Sequence, residues 1–460
     1  MRKLVRGGTV VSATNSSVAD VLIDGEEIVA VGDVGEADAE IVDASGCYVL
    51  PGLIDNHTHM AMPFGGTRSI DDYDTGTRAA AAGGTTCIVD FVIQQEGGGL
   101  QSSLDEWQDR AAGAAHVDYG FHVAITQADE GTFADMEPMV EQGIATFKVF
   151  LAYKGVLMVT DDLFLRVLEN TRDLGALTMV HCENGWAIDV LVERALAAGQ
   201  TDPIYHARTR PEILEAEATS RSVRLAELAG AGVYIVHVTC GLAADEIAAG
   251  QARGVAVSGE TCLQYLTNTV EDLARPDFEG ARYVCSPPLR EAHNQERLWR
   301  ALRRGVLESV STDHCPFNSE QKALGRDDFS KIPNGLAMIQ HRLVKLWDLG
   351  VVGGRITPNE LVDLTSTAIA RRFGLARKGA IAPGMDADVV VFDPATPFEF
   401  STRTSHMNVD YDLFDGQTSS GSVRHTFCRG ELVYDRGEIL TQPGHGRFVP
   451  RSLGAAAVAT

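Results

Sequence analysis

The chain has 460 residues, 45% of them hydrophobic and 22% charged, a composition typical of folded globular proteins and not of disordered or collagen-like ones. Its 39 basic and 63 acidic residues give a formal net charge of −24, which disfavours nucleic acid as a partner. No apolar run reaches the ~18 residues of a membrane-spanning helix, so no membrane contact is predicted. The eight cysteines are scattered without a CxxC pair, and the N-terminus turns polar too soon for a signal peptide, so we predict a reduced, cytoplasmic protein.

Short β-strands are predicted at both ends of the chain. In the first fifty residues, apolar runs such as residues 28–31 alternate with Gly and Asp turn signals, a pattern typical of small hairpins. The same pattern returns at residues 387–392 and 431–434. Because both flanks differ from the middle of the chain, we predict one small β-sandwich subdomain formed by both chain ends.

The middle of the chain alternates short apolar runs with helix-period segments. The predicted strands are residues 53–57, 85–92, 119–125, 145–151, 177–181, 233–238, 255–259 and 307–313. The clearest predicted helices are residues 102–112, 161–174, 213–229, 243–249 and 293–303. Eight such βα units indicate an α/β fold, a closed (β/α)8 TIM-like barrel. The rival, an open doubly wound sheet, would have a glycine-rich turn after its first strand, and the sequence there has none.

The domain boundaries follow from these patterns. Residues 1–52 and 379–447 are assigned to the two parts of the β-sandwich, and residues 53–378 to the barrel. Residues 448–460 form a C-terminal tail, and from Arg451 onward we expect it to be loose or to lie on a neighbouring subunit.

Two histidines mark the end of the first barrel strand. His57 and His59 are two residues apart, and the period of a β-strand places both side chains on one face. Four further polar side chains each follow an apolar, β-rich run: Lys148, His181, His237 and Asp313. All six are therefore predicted at the C-terminal mouth of the barrel, where barrel enzymes build their active sites.

The residue types at this mouth are those of a metal site. Neutral imidazoles and a carboxylate suit divalent zinc, and one ion would leave ligands over, so we predict two. Lys148 does not fit among cations as an ammonium group. Desolvation lowers a lysine pKa, and the neutral amine could react with carbon dioxide to form a bridging carbamate. The alternative is a lysine paired with a neighbouring acid, and spacing does not decide between the two.

Longer motifs connect these residues to a known family. The chain resembles the cyclic amidohydrolases of the dihydropyrimidinase/hydantoinase family over essentially its whole length. The matching segments are residues 51–59, 63–67, 147–155, 181–184, 285–290, 312–317, 332–335 and 383–388.

The resemblance implies two zinc ions per subunit, bridged by carboxylated Lys148 (N6-carboxylysine) and a hydroxide. It assigns His57 and His59 to the more buried ion together with Asp313. His181 and His237 are assigned to the more exposed ion. Relatives are commonly homotetramers, so the resemblance also implies a homotetramer.

Substrate contacts are implied in the same way. Tyr153 matches the tyrosine that polarises the scissile carbonyl and stabilises the oxyanion. Ser286 and Asn334 match positions that hold the amide and imide groups of the ring. The apolar residues expected to shape the pocket for the ring substituent are Met62, Phe64, Phe150 and Leu157, although ordinary packing explains them nearly as well.

The predicted reaction is hydrolysis of a cyclic amide C–N bond to give an N-carbamoyl amino acid, with Asp313 as both ligand and base. Dihydroorotases usually carry an arginine two residues after the HxH pair, where this chain has Ala61. We therefore predict uncharged small-molecule substrates, namely dihydropyrimidines or 5-substituted hydantoins, although Arg68 could still reach a ligand. The alternatives are allantoinase or another cyclic ureide hydrolase, a phosphotriesterase-like hydrolase, and a non-enzymatic assembly protein of the same fold.

Overall fold

The protein is described here by a computed structural model covering residues 2–95, 97–127 and 130–453. The strands, in chain order, are β1 (Arg2–Val11), β2 (Ser16–Asp24), β3 (Glu27–Gly32), β4 (Glu40–Asp43), β5 (Tyr48–Pro51), β6 (Leu53–Thr58), β7 (Pro63–Phe64), β8 (Thr67–Arg68), β9 (Thr85–Ile93), β10 (Asp118–Ala124), β11 (Thr146–Phe150), β12 (Leu177–His181), β13 (Val233–Ile235), β14 (Val257–Cys262), β15 (Ser309–Ser311), β16 (Val389–Asp393), β17 (Ser422–Cys428), β18 (Glu431–Asp435) and β19 (Glu438–Ile439).

Helices occupy most of the connections between the barrel strands. They are α1 (Tyr73–Ala82), α2 (Leu100–Ala111), α3 (Glu130–Glu141), α4 (Asp161–Leu174), α5 (Gly185–Ala197), α6 (Ile204–Arg208), α7 (Glu212–Ala229), α8 (Gly241–Ala252), α9 (Leu263–Thr267), α10 (His293–Arg303), α11 (Ser319–Lys322), α12 (Arg342–Leu346), α13 (Pro358–Val362) and α14 (Ala368–Phe373). Short 3₁₀ turns lie at Val270–Ala274, Glu279–Tyr283, Ala323–Gly325 and Phe329–Lys331, and π-helical turns at Trp347–Val352 and Asp363–Thr367.

Eight parallel strands form the barrel, in the order β6, β9, β10, β11, β12, β13, β14 and β15. Every residue of these strands is buried, which explains why they appear in the sequence as short apolar runs rather than as alternating patterns. The ring closes because Thr58 of β6 pairs in parallel with His314, just after β15. The amide N–H of His59 donates to the His314 carbonyl at 2.9 Å. The predicted (β/α)8 barrel is confirmed, and the open-sheet alternative is excluded.

The predicted helices are present with small shifts at their ends. Helices α4 and α10 have the predicted bounds, and α2, α7 and α8 begin or end within three residues of them. Helix α4 ends at Gly175, whose φ of +65° is the left-handed conformation that glycine adopts without strain.

The two chain ends meet in a second sheet of nine strands. Strand β5 pairs antiparallel with β16, so that Val49 faces Val391 and the N-terminal strands continue into the C-terminal ones. This sheet has its own apolar core, which includes Val5, Val49 and Phe427. The prediction of one β-subdomain built from both ends is confirmed.

The C-terminal residues differ from the prediction. Arg451 does not belong to a loose tail: its backbone N–H donates to the Gly143 carbonyl at 3.0 Å, and its side chain is 2% exposed. The guanidinium reaches the Phe121 carbonyl and the Thr146 hydroxyl, the latter at 2.8 Å, inside the barrel wall of the same chain. These acceptors explain the ordered position of an arginine that looked like part of a free end. Residues 454–460, the rest of the predicted tail, lie outside the described residues.

All eight cysteines are buried and free of disulfide bonds, and they pack as small apolar side chains. Within the described ranges, no helix combines the length and the apolar character needed to cross a membrane.

Candidate metal centre and substrate cleft

The mouth of the barrel brings together the six side chains predicted there. His57 is the penultimate residue of β6 and His59 directly follows the strand, Lys148 lies in β11, and His181 ends β12. The His57 Nε2 atom lies 3.1 Å from Lys148 Nζ and 3.2 Å from Asp313 Oδ1. His59 Nε2 lies 3.0 Å from the same Asp313 oxygen. One buried group of possible metal ligands is therefore formed by His57, His59 and Asp313.

A second pair of imidazoles lies beside this group. His181 Nδ1 and His237 Nε2 are 2.9 Å apart, and the rings of His57 and His237 stack with centroids 5.3 Å apart. All four histidines thus face one space, with Lys148 reaching in from the neighbouring strand.

Two buried glutamates hold the outer nitrogens of these rings. Glu260 Oε1 lies 2.5 Å from His57 Nδ1, and Glu183 Oε2 lies 2.8 Å from His181 Nε2. An imidazole fixed in this way turns its other nitrogen, as a lone pair, toward the shared space, which is the usual arrangement of metal-binding histidines. Sequence reasoning assigned no role to either glutamate, although Glu183 belongs to a matching segment and follows His181 by two residues.

The protonation states are those of metal ligands. Burial lowers the pKa values of His57, His59 and His237, and the nearby Lys148 ammonium lowers them further, so these imidazoles are neutral at pH 7. Burial alone would raise the pKa of Asp313, but the positive charge of His57 in its protonated form and the hydrogen bond from His59 lower it to about 2. With His181 Nε2 held by Glu183, its Nδ1 lone pair points at His237 Nε2, an arrangement that a cation between them would stabilise. The donor set therefore fits divalent metal ions.

Lys148 has the surroundings expected of a reactive amine. Its side chain is 1% exposed, and in the described parts of the chain no carboxylate lies within 4.0 Å of Nζ. The nitrogen instead lies 4.0 Å from the ring centroid of Phe91 and 4.8 Å from that of Phe150. Burial lowers the Lys148 pKa to about 8, against the opposing effect of Asp313 and Glu260. These contacts disfavour the alternative of a lysine paired with a neighbouring acid.

A narrow cleft opens over these groups, lined by both polar and apolar side chains. It contains the residues predicted to contact substrate together with most of the predicted metal ligands. Its walls include Met62, Phe64, Phe150, Tyr153, Leu157, Ser286 and Asn334. Arg68 lies elsewhere, in a separate surface cavity with Ala61 and Tyr73. The described residues lining the cleft include no arginine.

Tyr153 is held over the imidazoles by aromatic contacts. Its ring centroid lies 5.4 Å from that of Phe64 and 5.3 Å from that of His181. Burial and the nearby Glu183 carboxylate raise the pKa of Tyr153, so its phenol keeps its proton and can donate a hydrogen bond.

Three site residues have a left-handed backbone that non-glycine residues rarely adopt. The φ values are +67° at Tyr153, +40° at His237 and +49° at Asp313. Each such conformation costs on the order of 1–3 kcal/mol and persists only where surrounding structure enforces it. At the barrel mouth, the left-handed conformation turns side chains that follow a strand back toward the space shared by the imidazoles. The spacing of residues along the sequence does not reveal this conformation.

Ser286 and Asn334 meet across the cleft although 48 positions separate them. The Asn334 amide donates to Ser286 Oγ at 3.1 Å, and His206 Nε2 lies 3.0 Å from the same hydroxyl.

Comparisons with known proteins agree with this geometry. Residues 48–433 match the amidohydrolase family. The chain is 48% identical over 463 positions to a D-hydantoinase from Geobacillus stearothermophilus, covering 100% of this chain and 98% of the relative. It is 43% identical to a dihydropyrimidinase from Arabidopsis thaliana, covering 97% of this chain and 85% of the relative. The crystal structure of dihydropyrimidinase from Brevibacillus agri NCHU1002 superimposes with a TM-score of 0.97 at 50% identity, covering 98% of this chain and 99% of that one.

Proposed function

Since the chain belongs to the amidohydrolase family, we propose that it is a hydantoinase/dihydropyrimidinase-type enzyme that hydrolyses the amide bond of cyclic substrates. One observation carries the proposal: a single cleft contains both a cluster of metal-ligand side chains and neutral groups suited to a ring amide. The high identity to hydantoinases and dihydropyrimidinases along the whole chain supports the same conclusion.

The proposal includes two zinc ions. His57, His59 and Asp313 would hold one ion, His181 and His237 the other, and Lys148, carboxylated on Nζ, would bridge them. The neutral imidazoles and the buried Lys148 amine, whose Nζ lies beyond 4.0 Å from every described carboxylate, support this assignment. When bound there, the ions would supply Lewis acidity and activate water at neutral pH.

Protein side chains carry out the proton transfers. We propose that Asp313 accepts a proton from the attacking water and delivers it to the departing ring nitrogen. Its low pKa keeps it ionised and ready to accept at the start of the cycle. Tyr153 donates a hydrogen bond to the carbonyl oxygen as negative charge develops there, an interaction typically worth about 3 kcal/mol.

The proposed product is an N-carbamoyl amino acid. The water oxygen bonds to the ring carbonyl carbon, the C–N bond breaks, and the nitrogen leaves protonated as part of the carbamoyl group. Ser286 and Asn334 are proposed to hold the remaining amide and imide groups, so that the ring is fixed while it opens.

The walls of the cleft favour uncharged rings with apolar substituents. Met62, Phe64, Phe150 and Leu157 surround the space above the imidazoles, and the described lining has no arginine to pair with a substrate carboxylate. We therefore propose 5-substituted hydantoins and dihydropyrimidines as substrates, rather than dihydroorotate or allantoin. Because several relatives are named D-hydantoinase, we propose the D-enantiomers of substituted hydantoins.

A substrate panel tests the proposal. Zinc-loaded enzyme is assayed on dihydrouracil, hydantoin, D- and L-5-phenylhydantoin, allantoin and dihydroorotate, with ring opening followed by ultraviolet absorbance and products identified by mass spectrometry. We expect turnover of the first three types and preference for D-phenylhydantoin, with Asp313→Ala as the inactive background control. Faster turnover of dihydroorotate or allantoin would overturn the substrate assignment, and no turnover of any ring would overturn the activity.

A further inference from the structure

A buried lysine outside the cleft connects the two loops that carry Ser286 and Asn334. Lys322 ends helix α11, and its side chain is 1% exposed. Its ammonium donates to three backbone carbonyls, those of Val284 at 2.9 Å, Pro333 at 2.7 Å and Gly335 at 2.9 Å. Burial lowers the pKa of Lys322 to about 7, and in the ammonium form all three protons are used on main-chain acceptors.

These carbonyls lie immediately around the proposed substrate contacts. Val284 precedes Ser286 by two residues, and Pro333 and Gly335 flank Asn334. The Val284 carbonyl also accepts from the Gly335 N–H at 3.0 Å, so the two loops are joined directly and through the ammonium. Across this junction the Asn334 amide donates to Ser286 Oγ at 3.1 Å.

The ammonium lies in an environment that does not favour a cation for stability alone. In the described parts of the chain, no carboxylate lies within 4.0 Å of Lys322 Nζ, and the nearest aromatic centroid, that of Phe317, is 5.6 Å away. Burying an unpaired charge is costly, and an apolar side chain of the same length would fill the space without that cost. Charge-assisted hydrogen bonds fix three carbonyls at once, which an apolar side chain cannot do.

We propose that Lys322 is a positioning residue that sets the placement of Ser286 relative to Asn334, and thereby aligns the ring amide and imide of the substrate. This inference rests on the proposed function. Lys322 does not line the cleft, so it acts only through the two loops. Its loss should weaken recognition of the ring itself and leave selectivity for the ring substituent unchanged.

The test compares Lys322→Met with Lys345→Met. Lys345 is also a buried lysine, but it contacts Gln417 and the Phe400 and Phe414 rings, away from the cleft. For Lys322→Met we expect KM for hydantoin and for D-5-phenylhydantoin to rise by the same factor, about 10- to 100-fold, because shifts of about 1 Å have effects of this size. Zinc content should equal that of the wild type. Lys345→Met should lower Tm without changing KM.

Each outcome is decisive. A folded Lys322→Met variant with wild-type KM would overturn the inference, as would a KM change confined to phenylhydantoin. If Lys322→Met does not fold, Lys322→Gln serves instead, because its side chain retains an amide donor. We expect Lys322→Gln to fold and to show a smaller rise in KM. A wild-type KM in Lys322→Gln would also overturn the inference. A wild-type enzyme that opens no ring would instead refute the proposed function, and this inference with it.

Discussion

Two buried clusters in this molecule have the residue types of a metal site, and they differ in what surrounds them. His57, His59 and Asp313 form one cluster at the C-terminal mouth of the barrel. Asp118, Asp388 and Cys428 form the other, where the opposite end of the barrel meets the β-subdomain. In each cluster the ligand atoms lie within 4.8 Å of one another.

The second cluster already contains its cation. Lys378 Nζ lies 2.8 Å from Asp118, 2.7 Å from Asp388 and 3.1 Å from Asp386, and the Arg429 guanidinium also contacts Asp118. Burial alone disfavours the charged form of Lys378, but Asp388 and the neighbouring acidic groups raise its pKa above the usual value. This cluster is neutralised by the protein itself.

The mouth has the opposite arrangement. Its buried lysine, Lys148, has no described carboxylate within 4.0 Å, and its pKa falls to about 8. A buried lysine is thus a structural cation at one end of the barrel, whereas at the other end the lowered pKa of Lys148 makes its neutral amine easier to form. Residue type and proximity therefore do not define a metal site, because the charge balance around the donors also decides. In barrels, residues at one end serve stability and residues at the other serve chemistry.

Replacing Lys148, the lysine at the barrel mouth, should have the largest effect on activity. In Lys148→Met we expect kcat/KM to fall by about 10³-fold or more, since metal ions contribute several kcal/mol to such reactions and each ~1.4 kcal/mol is tenfold. Metal analysis should show fewer than two ions per chain, while the Tm of the metal-free variant should stay near that of the metal-free wild type because no ion pair is lost. Full metal loading with unchanged turnover would contradict the proposed bridging role of Lys148.

The matched change at the other end should affect stability instead. Lys378→Met leaves buried carboxylates without their cation, and breaking a buried pair in this way typically costs about 3–5 kcal/mol. Denaturant unfolding should show this loss, whereas the turnover per folded molecule and the zinc content should not change. If Lys378→Met lost metal or activity at full folding, the distinction between the two clusters would be wrong.

The sequence predicted most of this architecture because its signals were local. The eight barrel strands were recognisable as buried apolar runs, and the polar residues that follow them converge at one mouth because parallel strands end at one edge. The resemblance supplied Tyr153, Ser286 and Asn334, which lie at no strand end and whose placement depends on loop conformation.

Other site features could not be predicted from spacing. The seventh strand was predicted to end at Gly259, but β14 continues to Cys262 and carries Glu260 toward His57. Gly259 is a packing requirement and not a strand end, since a Cβ there would lie 2.7 Å from the Ile235 carbonyl of β13. Arg451 was misjudged for a similar reason, because its acceptors come from β10 and β11, some 300 residues earlier.

At the barrel mouth, Tyr153→Phe tests whether Tyr153 stabilises the developing negative charge without contributing to metal binding. The phenol keeps its proton and faces the imidazoles through its ring, so removing the hydroxyl should leave zinc content unchanged. We expect kcat to fall about 10²- to 10³-fold, the usual effect of losing one oxyanion donor, with a smaller change in KM. Steady-state kinetics on hydantoin check this, and a kcat within a few-fold of the wild type would exclude Tyr153 as the oxyanion donor.

The smallest effect is expected at Glu183, whose carboxylate orients the predicted metal ligand His181. Glu183 Oε2 accepts from His181 Nε2 at 2.8 Å, and in Glu183→Gln the acceptor loses its charge but not its position. Zinc affinity should fall by about 10- to 100-fold, as for other residues that orient metal-bound histidines, while kcat at saturating zinc stays near the wild-type value. Zinc titration of the metal-free protein measures this, with Glu217→Gln as control because Glu217 contacts Asn184 outside the cleft. Equal zinc affinity in Glu183→Gln and Glu217→Gln would mean that strand β12 alone orients His181. The charge of Glu183 would then have no effect on metal binding at the barrel mouth.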